Sequence, residues 1–107
     1  MNGQTDMLFR SLADPTRRAI YERLAGGGEQ TVRMLTEQAG ISQPAVSKHL
    51  TVLKSAGLVR DRPDGRQTHY SANREALVPL IDWMSRYGVF WEGRFDSLED
   101  LLNRMDQ

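Results

Sequence analysis

The chain of 107 residues contains no cysteine. That absence removes disulfides, thiolate metal sites and nucleophilic thiols together, and it fits a reducing, cytoplasmic setting. Long apolar runs are missing too. Nothing approaches the ~18 residues that span a bilayer, and the polar amino terminus has no signal-peptide core. Membrane partners are therefore not expected. Histidine is confined to His49 and His69, and there is no glycine-rich phosphate loop or clustered set of carboxylates. An enzyme, a metal site and a cofactor are accordingly not expected.

Net charge is also absent, because fourteen basic residues offset fourteen acidic ones. Their distribution is uneven. Residues 41–74 hold Lys48, Lys54, Arg60, Arg62, Arg66 and Arg74 against Asp61 and Asp64, a local net of +4. Residues 75–107 carry three basic and seven acidic residues, a net of −4. Screening confines a field to about 8–10 Å, so the local excess is what an anionic partner meets. A phosphate backbone is expected against the middle of the chain.

What is present is mostly helical punctuation within one domain. Met7, Leu8 and Leu12 suggest a first helix. "ADPTRRAIYERLAGGG" restarts with Asp14 as N-cap and Pro15 in the first turn, points Ile20 and Leu24 inward, and stops in glycines. Thr31 caps a third helix with Val32, Leu35 and Ala39 at helical spacing, ending at Gly40. Ser42 caps a fourth, with Pro44 in its first turn and Val46, Leu50 and Leu53 as its buried stripe. Gly57 ends it, and Leu58 can fold back in a Schellman-type contact. Two short helices about a glycine turn make a helix-turn-helix, here residues 31–57, in which the second helix enters the major groove.

Residues 58–72, "LVRDRPDGRQTHYSA", read as strand, turn over Pro63–Arg66, and strand, with Asp-Gly as the hairpin signal. A basic hairpin in that position is a wing. From residue 74 a long helical stretch follows, and Pro79 leaves its start open between a short turn at 74–77 and a kinked helix. Leu77, Ile81, Met84, Gly88 and Trp91 repeat at 4-3-4-3, with Trp83, Tyr87 and Phe90 as a second stripe. "DSLEDLLNRM" suggests a final short helix. The expected fold is mainly α with a small β-hairpin wing, in the order α-α-α-α-β-β-α-α.

"LADPTRRAIYERL", "ISQPAVSKHLTVLKSAGLV" and "RPDGRQTHYSAN", in that order, resemble the successive motifs of the ArsR/SmtB family of winged-helix repressors, over roughly residues 5–92. The resemblance implies a homodimer on an inverted-repeat operator, usually repressing and released by an effector. Metal sensing, common in that family, does not carry over. The third helix reads "TVRMLTEQ" without cysteine, and Asp82 on the carboxyl-terminal helix has no histidine after His69 to join it.

A reading surface can be assigned to the fourth helix and the wing. Gln43 can pair with adenine, Ser47 and Thr51 can donate or accept, and Pro44 or the Thr51 methyl can pack on a thymine methyl. Lys48 and Lys54 suit phosphates, the amides behind Ser42 can face one, and Arg62 and Arg66 in the wing complete the set. Arg66 at the tip suits a narrow minor groove. His49 lies beside the apolar stripe and is either a half-buried histidine with one hydrogen bond or a phosphate contact. Arg17 and Arg18 either touch the DNA backbone or form surface ion pairs.

Five of the eight aromatic residues fall within residues 83–95, more than one helix can bury in a small core. Residues 74–107 are therefore expected to dimerise, through Leu80, Trp83, Met84, Tyr87, Phe90 and Trp91, with Met7 and Leu8 assisting. The same aromatics could instead line a pocket for an organic effector. They could also make the chain a protein-interaction module with little affinity for DNA.

Overall fold

The computed structural model describes residues 3–87 and Arg104. Phe90, Trp91 and the expected final helix lie outside the described residues. Helix α1 (Gly3–Ala13) is followed by α2 (Pro15–Gly27), whose N-cap Asp14 accepts a 2.9 Å hydrogen bond from the Arg17 amide. Helices α3 (Val32–Ala39) and α4 (Gln43–Ser55) come next, capped by the hydroxyls of Thr31 and Ser42. These caps satisfy amides that the first helical turn leaves without partners.

Helix α4 closes in a full Schellman motif. Gly57 adopts φ 80°, its amide donates to the Lys54 carbonyl at 2.9 Å, and the Leu58 amide donates to the Leu53 carbonyl at 2.9 Å. Leu58 is thereby driven into the core, fully buried with Leu8, Leu35, Val46, Leu50 and Leu53. The chain leaves this turn directly into strand β2 (Val59–Asp64), so the helix end sets where the wing begins.

Strand β2 pairs antiparallel with β3 (Gln67–Ala72), from Val59↔Ala72 to Asp64↔Gln67. The loop is therefore Gly65-Arg66 alone, shorter than the four-residue turn expected. Pro63 lies within β2, tolerated because β2 is an edge strand of the sheet. A third strand was not expected from the sequence: β1 (Gln30–Thr31) pairs with β3, giving the order β1-β3-β2. It has only two residues, both polar, and Thr31 also caps α3, so no apolar alternation marks it. After the sheet, one turn of 3-10 helix (Arg74–Leu77) precedes α5 (Val78–Ser85), so Pro79 sits in the first turn of α5 and kinks nothing. No helix among the described residues is long and apolar enough to cross a membrane.

Candidate nucleic-acid interface

The apolar stripe of α4, Val46, Leu50 and Leu53, is fully buried, which fixes the helix's roll about its axis. Ser42, Gln43, Pro44, Ser47, Lys48, Thr51 and Lys54 are consequently all exposed. The Thr51 hydroxyl donates to the Ser47 carbonyl at 3.0 Å. That spends its proton, so toward solvent Thr51 offers an acceptor oxygen and a methyl group. The Ser42 hydroxyl is occupied by the Ala45 amide at 3.3 Å.

Gln43 and the wing-tip Arg66 line one open cleft, together with Thr31, Val32, Arg33, Gln67, Thr68 and Tyr70. The start of α3, the start of α4 and the hairpin tip therefore converge. Arg33 was not among the residues expected there, because its helix is the partner of the reading helix in the motif. Its side chain is highly exposed and pairs with Glu37, one turn along, at 3.5 Å.

The cations are not equivalent. Lys48, Arg60 and Arg66 have no hydrogen-bond or ion-pair partner among the described residues, whereas two expected DNA contacts are held by the chain's own carboxylates. Lys54 Nζ lies 2.7 Å from Asp61 Oδ2. Arg62 holds Glu29 in a bidentate pair at 2.6 and 3.1 Å. The register explains why these pairs point in different directions. Asp61 lies opposite Tyr70, which packs on the core, so Asp61 is on the sheet face toward α4. Arg62 lies opposite His69 and so projects from the other face. There His69 approaches Glu29 at 3.7 Å and Asp64 at 3.5 Å. Arg62 thus clamps the wing to the α2–β1 turn, across the width of the sheet. The guanidinium and ammonium partners hold the Glu29 and Asp61 carboxyls below their ordinary range, mainly through these hydrogen bonds.

His49 is half-buried, and its Nδ1 lies 3.5 Å from Arg17 Nη1. Arginine has no acceptor, so this contact is a hydrogen bond only in the tautomer in which Nδ1 accepts. Neither of the roles expected for Arg17 and Arg18 accounts for their contacts. Arg17 donates to the Ser11 and Arg10 carbonyls at 2.6 and 3.1 Å, and Arg18 to the Leu12 carbonyl at 2.8 Å. Both cap the carboxyl end of α1, where four carbonyls lack helical partners.

The expected dimerisation residues divide. Leu8 is fully buried in the protomer's own core, which leaves Met7 as the exposed member of that pair. Leu80 is partly buried against the core. Trp83 stacks edge-on with Phe9 of α1, at 5.4 Å between ring centroids, and with Tyr87 at 5.3 Å. Phe9 was missed because its partners lie more than seventy positions away in sequence. None of the residues of α5 is buried. Apart from Met34, every exposed large hydrophobic residue among those described lies on α1, on α5 or at Tyr87 just beyond it.

A family model described as a helix-turn-helix domain matches residues 12–62. The transcriptional repressor SdpR of Bacillus subtilis (strain 168) is 38% identical over 80 residues, covering 75% of this chain and 88% of that protein. The HTH-type transcriptional regulator Rv2034 of Mycobacterium tuberculosis is 45% identical over 98 residues, covering 92% and 88%. Among solved structures, an ArsR family transcriptional regulator superposes with a TM-score of 0.73 at 31% identity, covering 83% of this chain and 91% of that one. An ArsR-like transcriptional regulator from Rhodococcus sp. RHA1 gives 0.71 at 28% identity, covering 92% of each. On these matches the chain belongs to the ArsR family of DNA-binding, winged helix-turn-helix transcriptional regulators.

Proposed function

We propose that two copies of the chain bind an inverted-repeat operator and repress the adjacent promoter, with each α4 in a major groove and each wing beside it. The observation that carries this reading is the division of the surface. A polar row, with Lys48 and Arg66 unpaired among the described residues, lies around α4 and the wing, while apolar exposure gathers on α1 and α5. Val78, Ile81 and Tyr87 expose 49%, 55% and 52% of their surface, and a second copy would cover them. Two-fold symmetry then sets the reading helices about 34–36 Å apart, one helical turn of DNA. Repression is the role named for SdpR, and the cytoplasm is where such an operator lies.

Within this arrangement Gln43, Ser47, Pro44 and Thr51 read base edges, and Lys48 and Arg66 hold the backbone or the minor groove. The test is a mobility-shift titration on a duplex selected by the wild-type chain from a randomised pool. Gln43→Ala should relax the sequence preference at one position by about 1–3 kcal/mol, while Lys48→Ala weakens all duplexes alike and flattens the salt dependence. A wild-type chain that enriches no inverted repeat contradicts the proposal. So does one that sediments as a monomer at micromolar concentration.

A further inference from the structure

Lys54 stands in the last turn of the reading helix, on the flank it shares with Gln43 and Ser47. By position it is as suited to a phosphate as Lys48, six residues earlier. The two differ in what surrounds them. Lys48 has no partner among the described residues, whereas the Lys54 ammonium rests against Asp61 at 2.7 Å. Asp61 reaches it because strand register turns Asp61 to the face of β2 toward α4, while Arg60 and Arg62 on either side of it project from the opposite face. The pair is exposed, at 53% for the lysine side chain and 30% for the aspartate, and such a pair adds little to stability. Its larger effect is on what the surface offers to a polyanion.

We propose that Asp61 is a specificity-determining residue: it withholds Lys54 from DNA phosphates, and so weakens unmatched duplexes more than the matched one. The proposal rests on the reading that α4 and the wing face DNA. Unmatched binding comes almost wholly from phosphate contacts, each releasing condensed counterions. A free lysine on a flexible four-carbon stem finds a phosphate in whatever register the protein lands. In a matched complex, base contacts from Gln43 and Thr51 fix where every phosphate lies, so freeing Lys54 adds less. In a chain of zero net charge, one ammonium more or less on the reading face is a large fraction of the electrostatic attraction.

The test compares wild type, Asp61→Asn, and Asp61→Asn combined with Lys54→Gln. Each is titrated against the selected duplex and against a scrambled duplex of equal length, over a range of salt concentrations. Thermal unfolding of the three proteins should coincide within a few degrees. Asp61→Asn should bind the scrambled duplex about 10-fold more tightly at ~0.1 M salt and steepen the logarithmic salt slope by ~0.9 per freed contact. Its gain on the selected duplex should be smaller. Adding Lys54→Gln should abolish the gain, which shows that the lysine supplies it rather than the loss of carboxylate repulsion. An unchanged slope overturns the proposal, because Lys54 would then either reach phosphate already or never reach it. An equal gain on both duplexes, or a gain that survives Lys54→Gln, overturns it as well. If the wild type selects no duplex, the operator reading fails and takes this proposal with it. If the wild type selects one and Asp61→Asn behaves identically, the proposal alone fails.

Discussion

Gly57 joins the reading helix to the wing, and adding a methyl group there tests whether that joint is held by backbone conformation. Its φ is 80°, and a Cβ built on it would meet no atom within 4 Å. Gly57→Ala therefore creates no clash, and its whole cost is that of placing an L-residue in the left-handed region, roughly 1–2 kcal/mol. Gly26 provides the control. It lies in the last turn of α2 with equally open surroundings, so alanine there stabilises by about 0.5–1 kcal/mol through helix propensity. At about 4 °C per kcal/mol for a domain near this size, Gly57→Ala should lower the melting temperature by roughly 4–8 °C. Gly26→Ala should raise it by roughly 2–4 °C on the same scale. Thermal unfolding followed by circular dichroism measures both. Shifts of the same sign would refute the reasoning, because the added atoms are identical and only the backbone conformation differs. Gly57→Asn should fall between wild type and alanine, since asparagine tolerates the left-handed region better.

The remaining predictions concern electrostatics and the α1–α4 connection. Glu29 and Asp61 have folded-state pKa values below their ordinary 4.5 and 3.8. In that acid range the unfolded chain binds more protons than the folded one, so stability rises with pH there. Their contribution should be intact above about pH 4.5 and decline as pH falls through the depressed values; a Glu29→Gln/Asp61→Asn variant should show a shallower acid limb in pH-dependent urea unfolding. Separately, Arg17→Met removes two hydrogen bonds that cap α1 as well as the contact with His49, whereas His49→Leu removes that contact alone; thermal unfolding should show the first losing more stability, by about 1–3 kcal/mol. Equal losses from the two variants would mean that the bonds from Arg17 to the α1 carbonyls contribute nothing measurable.

The helical framework was legible because each signal is local. Asp14, Thr31 and Ser42 sit within three residues of the amides they cap. Gly57 and Leu58 close the Schellman motif against carbonyls three and five residues back. Val46, Leu50 and Leu53 follow the helix period, so the exposed row of α4 could be drawn before any coordinate was known. Strand β1 was not legible, because its pairing with β3 joins Gln30 to Tyr70 and Thr31 to His69 across some forty residues. Two polar residues carry no alternation that could signal it. The choice that Pro79 left open was settled by packing: Ala76 in the 3-10 turn is buried, and α5 begins after it.

The charges show the same boundary between local and distant information. Counting residues gave the middle segment a net of +4, but a count does not say which cations are available. Arg62 is bound to Glu29, which lies 33 residues away and outside that segment. Lys54 is bound to Asp61, only seven residues along, yet a helix end, a left-handed glycine and a strand register intervene. Arg74 donates to the Ala25 carbonyl. Of the six cations counted, only Lys48, Arg60 and Arg66 have no such partner among the described residues, and Arg60 projects from the outer face of β2. On the proposed reading, Lys48 and Arg66 are the cations of that segment left to attract DNA near the reading helix. If α4 and the wing face DNA as proposed, a surface so sparingly charged would hold arbitrary DNA weakly at physiological salt, and most of the discrimination would fall to Gln43, Ser47 and Thr51 against base edges.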